Sequence, residues 1–307
     1  MGLPATFTLS LDCEGLWGMA DQRSLVCSGK INDAALGMAY EFIRCTMAES
    51  GVRATAAFVS CFAAELDALK QQMRLLESLA THSPNWFAQI MPALRSGQLN
   101  GWNGSKYFRA LKLAGHEMAW HGSTHMPLIE QTPTDAVELE IQLAQALMAD
   151  LGQTPGAIVF PRNQVGHLKQ LRVANFDTYR ASPPSSLPDR LGSLVNEWNV
   201  FDSRVNDRPV LRGGWHVSPS GYFLNWPSGL RAMVPVGVTI QRWKSLLRNA
   251  VEQGGYVHMW FHPHNLITAP AMQGAFEQIM KEVGQLVRSG DIVNLTMSEA
   301  NAHFAHC

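Results

Sequence analysis

The chain has 307 residues, 46% of them hydrophobic and 16% charged, and a formal net charge of -1, which is apolar material enough for a large core. This balance, with no run of Lys or Arg, excludes the electrostatic footprint of a nucleic-acid or anionic-membrane binder. No apolar stretch approaches the roughly 20 residues that a bilayer span requires. The opening residues, MGLPATFTLSLD, lack the basic and then apolar pattern of a signal peptide. The five cysteines form no C-x-x-C pair and are odd in number, so free thiols in a reducing compartment, the cytoplasm, are expected.

In chain order, residues 5–12 form a Thr-, Phe- and Leu-rich strand that ends in polar residues. Leu36, Tyr40, Ile43 and Met47 then recur on one face of a helix. RATAAFVS (53–60) predicts a second strand, and 63–79 a second helix. A Pro-, Asn- and Gly-rich interruption at 81–104 precedes the helix KYFRALKLAG and the strand HEMAWH. Thr132, Pro133 and Asp135 have the form of a helix start with Thr as cap, and Val137, Ile141, Ala144, Met148 and Leu151 form the stripe of that helix. AIVFP, TYRAS, YVHMWFHP and IVNLTM continue the strands, and helices are expected from Gln164, Thr239 and Ala271. Residues 182–235, dense in Pro, Gly, Asn and Trp, break the rhythm and read as an irregular insertion, either lining a cleft or decorating the surface. About seven strand–helix alternations predict an α/β protein with a parallel sheet, open or closed into a barrel, and chemistry gathers at the C-terminal strand ends of such folds.

The reactive side chains fall at those ends. The first strand ends in LDCEG (Asp12, Glu14), the third in HGSTH (His121, His125), the fourth in FPRN (Arg162, Asn163) and a late one in MWFHPHN (His262, His264). Two imidazoles and a carboxylate are a common ligand set for a catalytic divalent ion with open positions, and Glu14, His121 and His125 supply it. Asp12, two residues before Glu14, points to the same side of an extended strand and is placed to deprotonate a water. Arg162 is expected to pair with Asp12 and hold it ionised; a purely structural ion pair is the alternative. His262 is the candidate acid. Alternation puts His258, Trp260, His262 and His264 on one face as far as Pro263 lets the strand run.

TLSLDCEG, HGSTH, FPRN and HMWFHPH, in that order, resemble the motifs of the polysaccharide deacetylases, the NodB-homology or carbohydrate esterase family four enzymes. ATAAFV, GHEMAWH and NLTMSEA add to a resemblance that runs from about residue 5 to about 300. It implies a distorted (β/α) barrel of about seven strands and one catalytic domain over 1–307 with an insertion at 182–235. It also implies metal-dependent removal of an N-acyl group, acetyl foremost, from a small or carrier-linked sugar. Asp12 matches the base, Glu14, His121 and His125 the ligands of one divalent ion, zinc foremost, Arg162 the arginine that orients the base, and His262 the acid. Substrate contacts are expected from Asn163, Trp260, His264 and Trp215; the insertion aromatics Trp198, Trp215, Tyr222 and Trp226 are either stacking faces for a sugar or local core. The chain departs from the usual pattern in having Asp-Cys-Glu for adjacent aspartates, resembling an Asp-x-Glu subset, and PRNQ for Arg-x-Pro-Tyr, which leaves the oxyanion donor unassigned. Asp202, Asp207 and Trp215 are candidates to support the acid. With Asp12 so near the start, a cytoplasmic role on an intermediate of surface polysaccharide or lipopolysaccharide assembly is expected. A deformylase, a ureide amidohydrolase on the same fold and an idle sugar-binding protein are the rivals.

Overall fold

β1 (Ala5–Cys13) is buried along its whole length, with Ala5, Phe7, Leu9 and Leu11 alternating with Thr6, Thr8, Ser10 and Asp12. A strand buried on both faces must satisfy its polar side chains internally. Thr8 Oγ1 donates to Leu295 O at 2.9 Å, and Ser10 Oγ lies 2.8 Å from His258 Nε2. This is a computed structural model, and it describes residues 4–154, 156–183, 197–200, 205–227 and 229–305. Among them no helix is long and apolar enough to cross a membrane, and Cys13, Cys27, Cys45 and Cys61 are free thiols.

The chain divides into two compact units. One comprises Met1–Leu11, Glu41–Thr55 and Ala181–Cys307. Here β1 runs parallel to β9 (Tyr256–Phe261), in register from Thr6 opposite Tyr256 to Leu11 opposite Phe261, and to β10 (Ile292–Asn294). The helices Val236–Gln253 and Ala271–Ser289 pack on each other, and each stops at a glycine in the left-handed conformation that closes a helix without Cβ strain. β6 (Val210–Arg212) and β7 (Trp215–Ser218) form an antiparallel hairpin, and β8 (Tyr222–Phe223) lies parallel to β9. The hairpin turns on Gly213 and Gly214, both at positive φ, as a two-residue turn between twisted strands demands. Among its described residues, the segment expected to be irregular therefore contributes three strands, which its density of Pro, Gly, Asn and Trp concealed. The other seven described strands fall where the alternation placed them.

The second unit comprises Asp12–Tyr40 and Ala56–Arg180. β3 (Glu117–Trp120), β4 (Ala157–Ile158) and β5 (Thr178–Arg180) pair in parallel, Trp120 opposite Ile158 and Ile158 opposite Tyr179. Hydrogen bonds continue past the C-terminal ends of the strands: Val59 N to Cys13 O (3.1 Å), His121 N to Phe58 O (2.9 Å) and Val159 N to Trp120 O (2.8 Å). Residues just beyond each strand are thereby held in register.

Two local expectations change. Residues 63–79 form not one helix but the short turns Ser60–Ala63 and Leu66–Gln71 followed by Met73–His82. Thr132 does not cap; its hydroxyl donates to Pro127 O at 2.8 Å, and the helix runs Thr134–Asp150. Gly122 is required by geometry, since at φ 76° an added Cβ would come 2.8 Å from Pro161 Cγ. Gly122→Ala should lower unfolding stability by about 1–3 kcal/mol, read by chemical denaturation.

Candidate metal centre and its base

Three side chains converge in the second unit. Glu14 follows β1, and His121 and His125 follow β3. Glu14 Oε2 lies 2.7 Å from His125 Nε2 and 3.2 Å from His121 Nε2, and all three side chains are buried. One ligand atom from each can be chosen so that all lie within 4.8 Å of one another. His121 Nδ1 donates to Val159 O at 2.7 Å, which turns Nε2 toward Glu14, as a carbonyl behind a metal-binding histidine does. Burial pulls the His121 pKa down, but the hydrogen bond to Glu14, the charges of Asp12 and Glu14 and the Val159 carbonyl outweigh it, so it stands above the ordinary histidine value. The pocket therefore favours positive charge between these groups. A divalent ion meets that demand, and two imidazole nitrogens with one carboxylate oxygen fit a catalytic site that keeps positions open.

The loop from His121 to His125 is held on every side. Ser60 N and Cys61 N, at the start of a helical turn, donate to Gly122 O and Ser123 O at 3.0 Å each. Glu140, buried on the helix Thr134–Asp150, accepts from Ser123 N at 2.7 Å, from Thr124 N at 3.2 Å and from the Thr124 hydroxyl. Ser123 Oγ donates to Glu140 O at 2.6 Å. Sequence reasoning missed Glu140, although its signal was legible: an acid three residues after Val137 and four before Ala144 sits inside the apolar stripe.

The base pairing differs from expectation. Arg162 does not meet Asp12; its Nη2 lies 2.6 Å from Asp21 Oδ1. Arg180, the last residue of β5, forks onto Asp12, Nη1 to Oδ1 at 2.8 Å and Nη2 to Oδ2 at 2.7 Å, and Nη2 also reaches Asn163 Oδ1 at 2.7 Å. The reason is backbone direction. Arg162 has φ 56°, a left-handed conformation that turns its side chain out of the course an extended residue would take, whereas Arg180 ends a strand parallel to β4. The signal for Arg180 was an arginine within TYRAS, where the strand gives way to small polar residues, the same strand-end rule applied to one more strand. Asn163, expected to touch substrate, touches Arg180.

The remaining candidates belong to the other unit. His262 follows β9 and is half-buried, with Trp260, Phe223 and His264 ring centres 5.8, 5.9 and 5.1 Å away and the Asn265 amide 3.4 Å from its Nδ1. Trp260 and His264 are each 8% exposed and Trp215 6%, so Trp215 offers no open stacking face, because β7 turns its ring inward. Tyr222 meets Trp243 edge-on, Trp226 Nε1 donates to Thr268 Oγ1 at 3.0 Å, and Trp198 is exposed. Asp207 is exposed, and Asp202 lies outside the described residues.

Both ions of the Asp12–Arg180 pair are buried, so removing one strands the other in a medium of low dielectric. Arg180→Ala should cost about 3–5 kcal/mol of unfolding free energy, and Arg180→Lys should not restore the two-pronged contact. Burial also pushes the Glu140 carboxyl up to about 7 from 4.5, against the hydrogen bonds from Thr124 and Ser123 that lower it. A folded-state value above the unfolded one gives stability that is full below about pH 4.5 and lost as pH rises through 7. The free-energy difference between wild type and Glu140→Gln should therefore shift in the variant's favour by about 3 kcal/mol over that window; a difference independent of pH would refute the assignment.

No family model and no curated protein matches the sequence. Solved structures do. A Mycobacterium smegmatis protein described as a polysaccharide deacetylase is 15% identical with a TM-score of 0.62, over 99% of this chain and 91% of its own. A Pseudomonas aeruginosa protein described in the same terms is 14% identical with a TM-score of 0.53, over 98% and 91%. The PuuE allantoinase is 12% identical with a TM-score of 0.55, over 97% and 89%. The chain thus has the fold of the NodB-homology polysaccharide deacetylases, the distorted (β/α) barrel that its motifs led us to expect.

Proposed function

We propose that the chain is a metal-dependent hydrolase that removes an N-acyl group, acetyl foremost, from a small or carrier-linked sugar, working as a single catalytic domain. The observation that carries this reading is the buried convergence of Glu14, His121 and His125, with Asp12 two residues away and clamped by Arg180. An ion held there, zinc by its preference for imidazole and carboxylate, would supply Lewis acidity to the acyl carbonyl and acidity to a water.

The chain's own residues do the rest. The Arg180 fork keeps Asp12 ionised and aimed, leaving its carboxylate to take the proton of the attacking water. His262, protonated, gives a proton to the departing sugar amine. Ionised Asp12 and protonated His262 together predict a bell-shaped pH–rate profile. The place of action we propose is the cytoplasm, on an intermediate of surface polysaccharide or lipopolysaccharide assembly; the near-neutral sequence, without a run of Lys or Arg, suits a sugar rather than a nucleic acid.

Because the fold is also that of an allantoinase, ring opening of a ureide is the second reading, and the test separates the two. Metal analysis of purified protein should find one divalent ion per chain, and incubation with N-acetylated amino sugars and their nucleotide-linked forms should release acetate. Release of formate, or ring-opened ureide alone, would move the reaction class; absence of both metal and product would leave a sugar-binding protein. Asp12→Asn should keep its metal and lose turnover about 100- to 10,000-fold, whereas His125→Ala should lose both.

A further inference from the structure

Arg162 and Asn163, consecutive and neither a glycine, hold left-handed backbone angles (φ 56° and 55°) directly after Pro161. In that conformation Cβ crowds the backbone, so such residues persist where a side chain has to be aimed. Their partners lie in two directions. Asn163 Oδ1 accepts from Arg180 at 2.7 Å, and Arg180 forks onto Asp12. Arg162 Nη2 meets Asp21 at 2.6 Å, and its guanidinium carbon stands 4.9 Å from the centre of the Trp86 ring, where a cation is attracted to the indole face.

Trp86 is bound to the metal-ligand loop in turn. Its ring lies near-parallel to that of His125 (24°, centres 6.0 Å apart), and its Nε1 donates to Thr124 O, the carbonyl immediately before His125, at 3.0 Å. His125 itself has φ 62°. Pro161, which opens the turn, packs so closely on Gly122 that a Cβ would not fit.

We infer that the Pro161–Asn163 turn is a two-way brace: through Arg162 and Trp86 it sets the ring of the ligand His125, and through Asn163 and Arg180 it aims Asp12. Arg162 is a positioning residue for the metal centre, not a partner of the base. The inference rests on the metal reading of Glu14, His121 and His125. Asp21 anchors the guanidinium, which is 35% exposed, while Asp21 is 34% exposed; the brace therefore reaches the surface, where it can be altered without opening the core.

Glycine accepts φ 56° without strain, so Arg162→Gly keeps the turn while removing the guanidinium. Zinc affinity, measured by competition with a chromophoric chelator, should fall about tenfold or more, in the range seen when the support behind a ligand is lost. Asp21→Asn should fall in the same direction by less. Asn163→Gly should keep zinc affinity within about twofold and lower kcat on whichever acylated sugar the release assay identifies. In metal-free protein, the ring-nitrogen NMR signals of His125 should shift or broaden in Arg162→Gly and not in Asn163→Gly, a difference that a merely structural turn would not produce. Wild-type zinc affinity together with an unchanged His125 spectrum in Arg162→Gly would overturn the brace, and so would equal losses of affinity in the two glycine variants. Wild type that binds no zinc would sink the metal reading, and the His125 spectrum would then decide the brace by itself.

Discussion

Two carboxylates two residues apart at the end of a buried strand pose the electrostatic problem around which this site is organised. Taking each out of water costs several kcal/mol, and their mutual repulsion is felt strongly where the dielectric is low. The chain answers the two charges differently. Asp12 receives a permanent cation, Arg180, through two parallel hydrogen bonds. Glu14 receives two imidazoles, of which His121 has its pKa raised by the same carboxylates. One carboxylate is therefore neutralised by the protein itself, and the other is left facing groups that welcome an added cation. This asymmetry suits the proposed division of labour, in which one acid works as a base while its neighbour serves as a ligand.

Position follows from backbone register. The hydrogen bonds that run past the strand ends, linking Cys13, Phe58, Val59, Trp120, His121 and Val159, carry the order of the sheet into the loops. Three of these residues frame the candidate site: Cys13 lies between Asp12 and Glu14, His121 is a proposed ligand, and Val159 supplies the carbonyl that orients it. The loop that bears both histidines is then fixed by donors and acceptors from three separate elements: the Ser60 turn, Glu140 and Trp86. Such a loop has little freedom to lose when a ligand arrives, which is how preorganised sites gain affinity.

The left-handed residues His125, Arg162 and Asn163 all belong to this region. Their strain is sustained because each side chain or its neighbour is held by a specific partner, and the same partners link the ligand loop to the base. Contacts toward the His121–His125 loop and toward Asp12 thus meet in a single three-residue turn. In the unit that contains β9, His262 is half-buried among aromatic rings.

Much of this was legible before any coordinates. Short β-rich runs located the seven strands outside the 182–235 segment, and the rule that polar residues at strand ends carry chemistry picked out Asp12, Glu14, His121 and His125, because both depend on a few consecutive residues and on backbone geometry common to all strands. The choice of arginine was not legible. Arg162 and Arg180 each end a strand-like run, and which of them reaches Asp12 depends on the left-handed turn after Pro161, a conformation that Arg and Asn do not advertise. Glu140 was half legible, as an acid inside an apolar stripe, but its partners are backbone amides some seventeen residues away. The strands β6 to β8 were hidden because the Pro, Gly, Asn and Trp around them read as turn and loop. What the amino-acid sequence determined by itself was the set of reactive groups and the strand ends that carry them; only the tertiary structure decided which group answers which charge, since pairing across strands is set by loop backbone angles and by burial, neither of which is written in local periodicity.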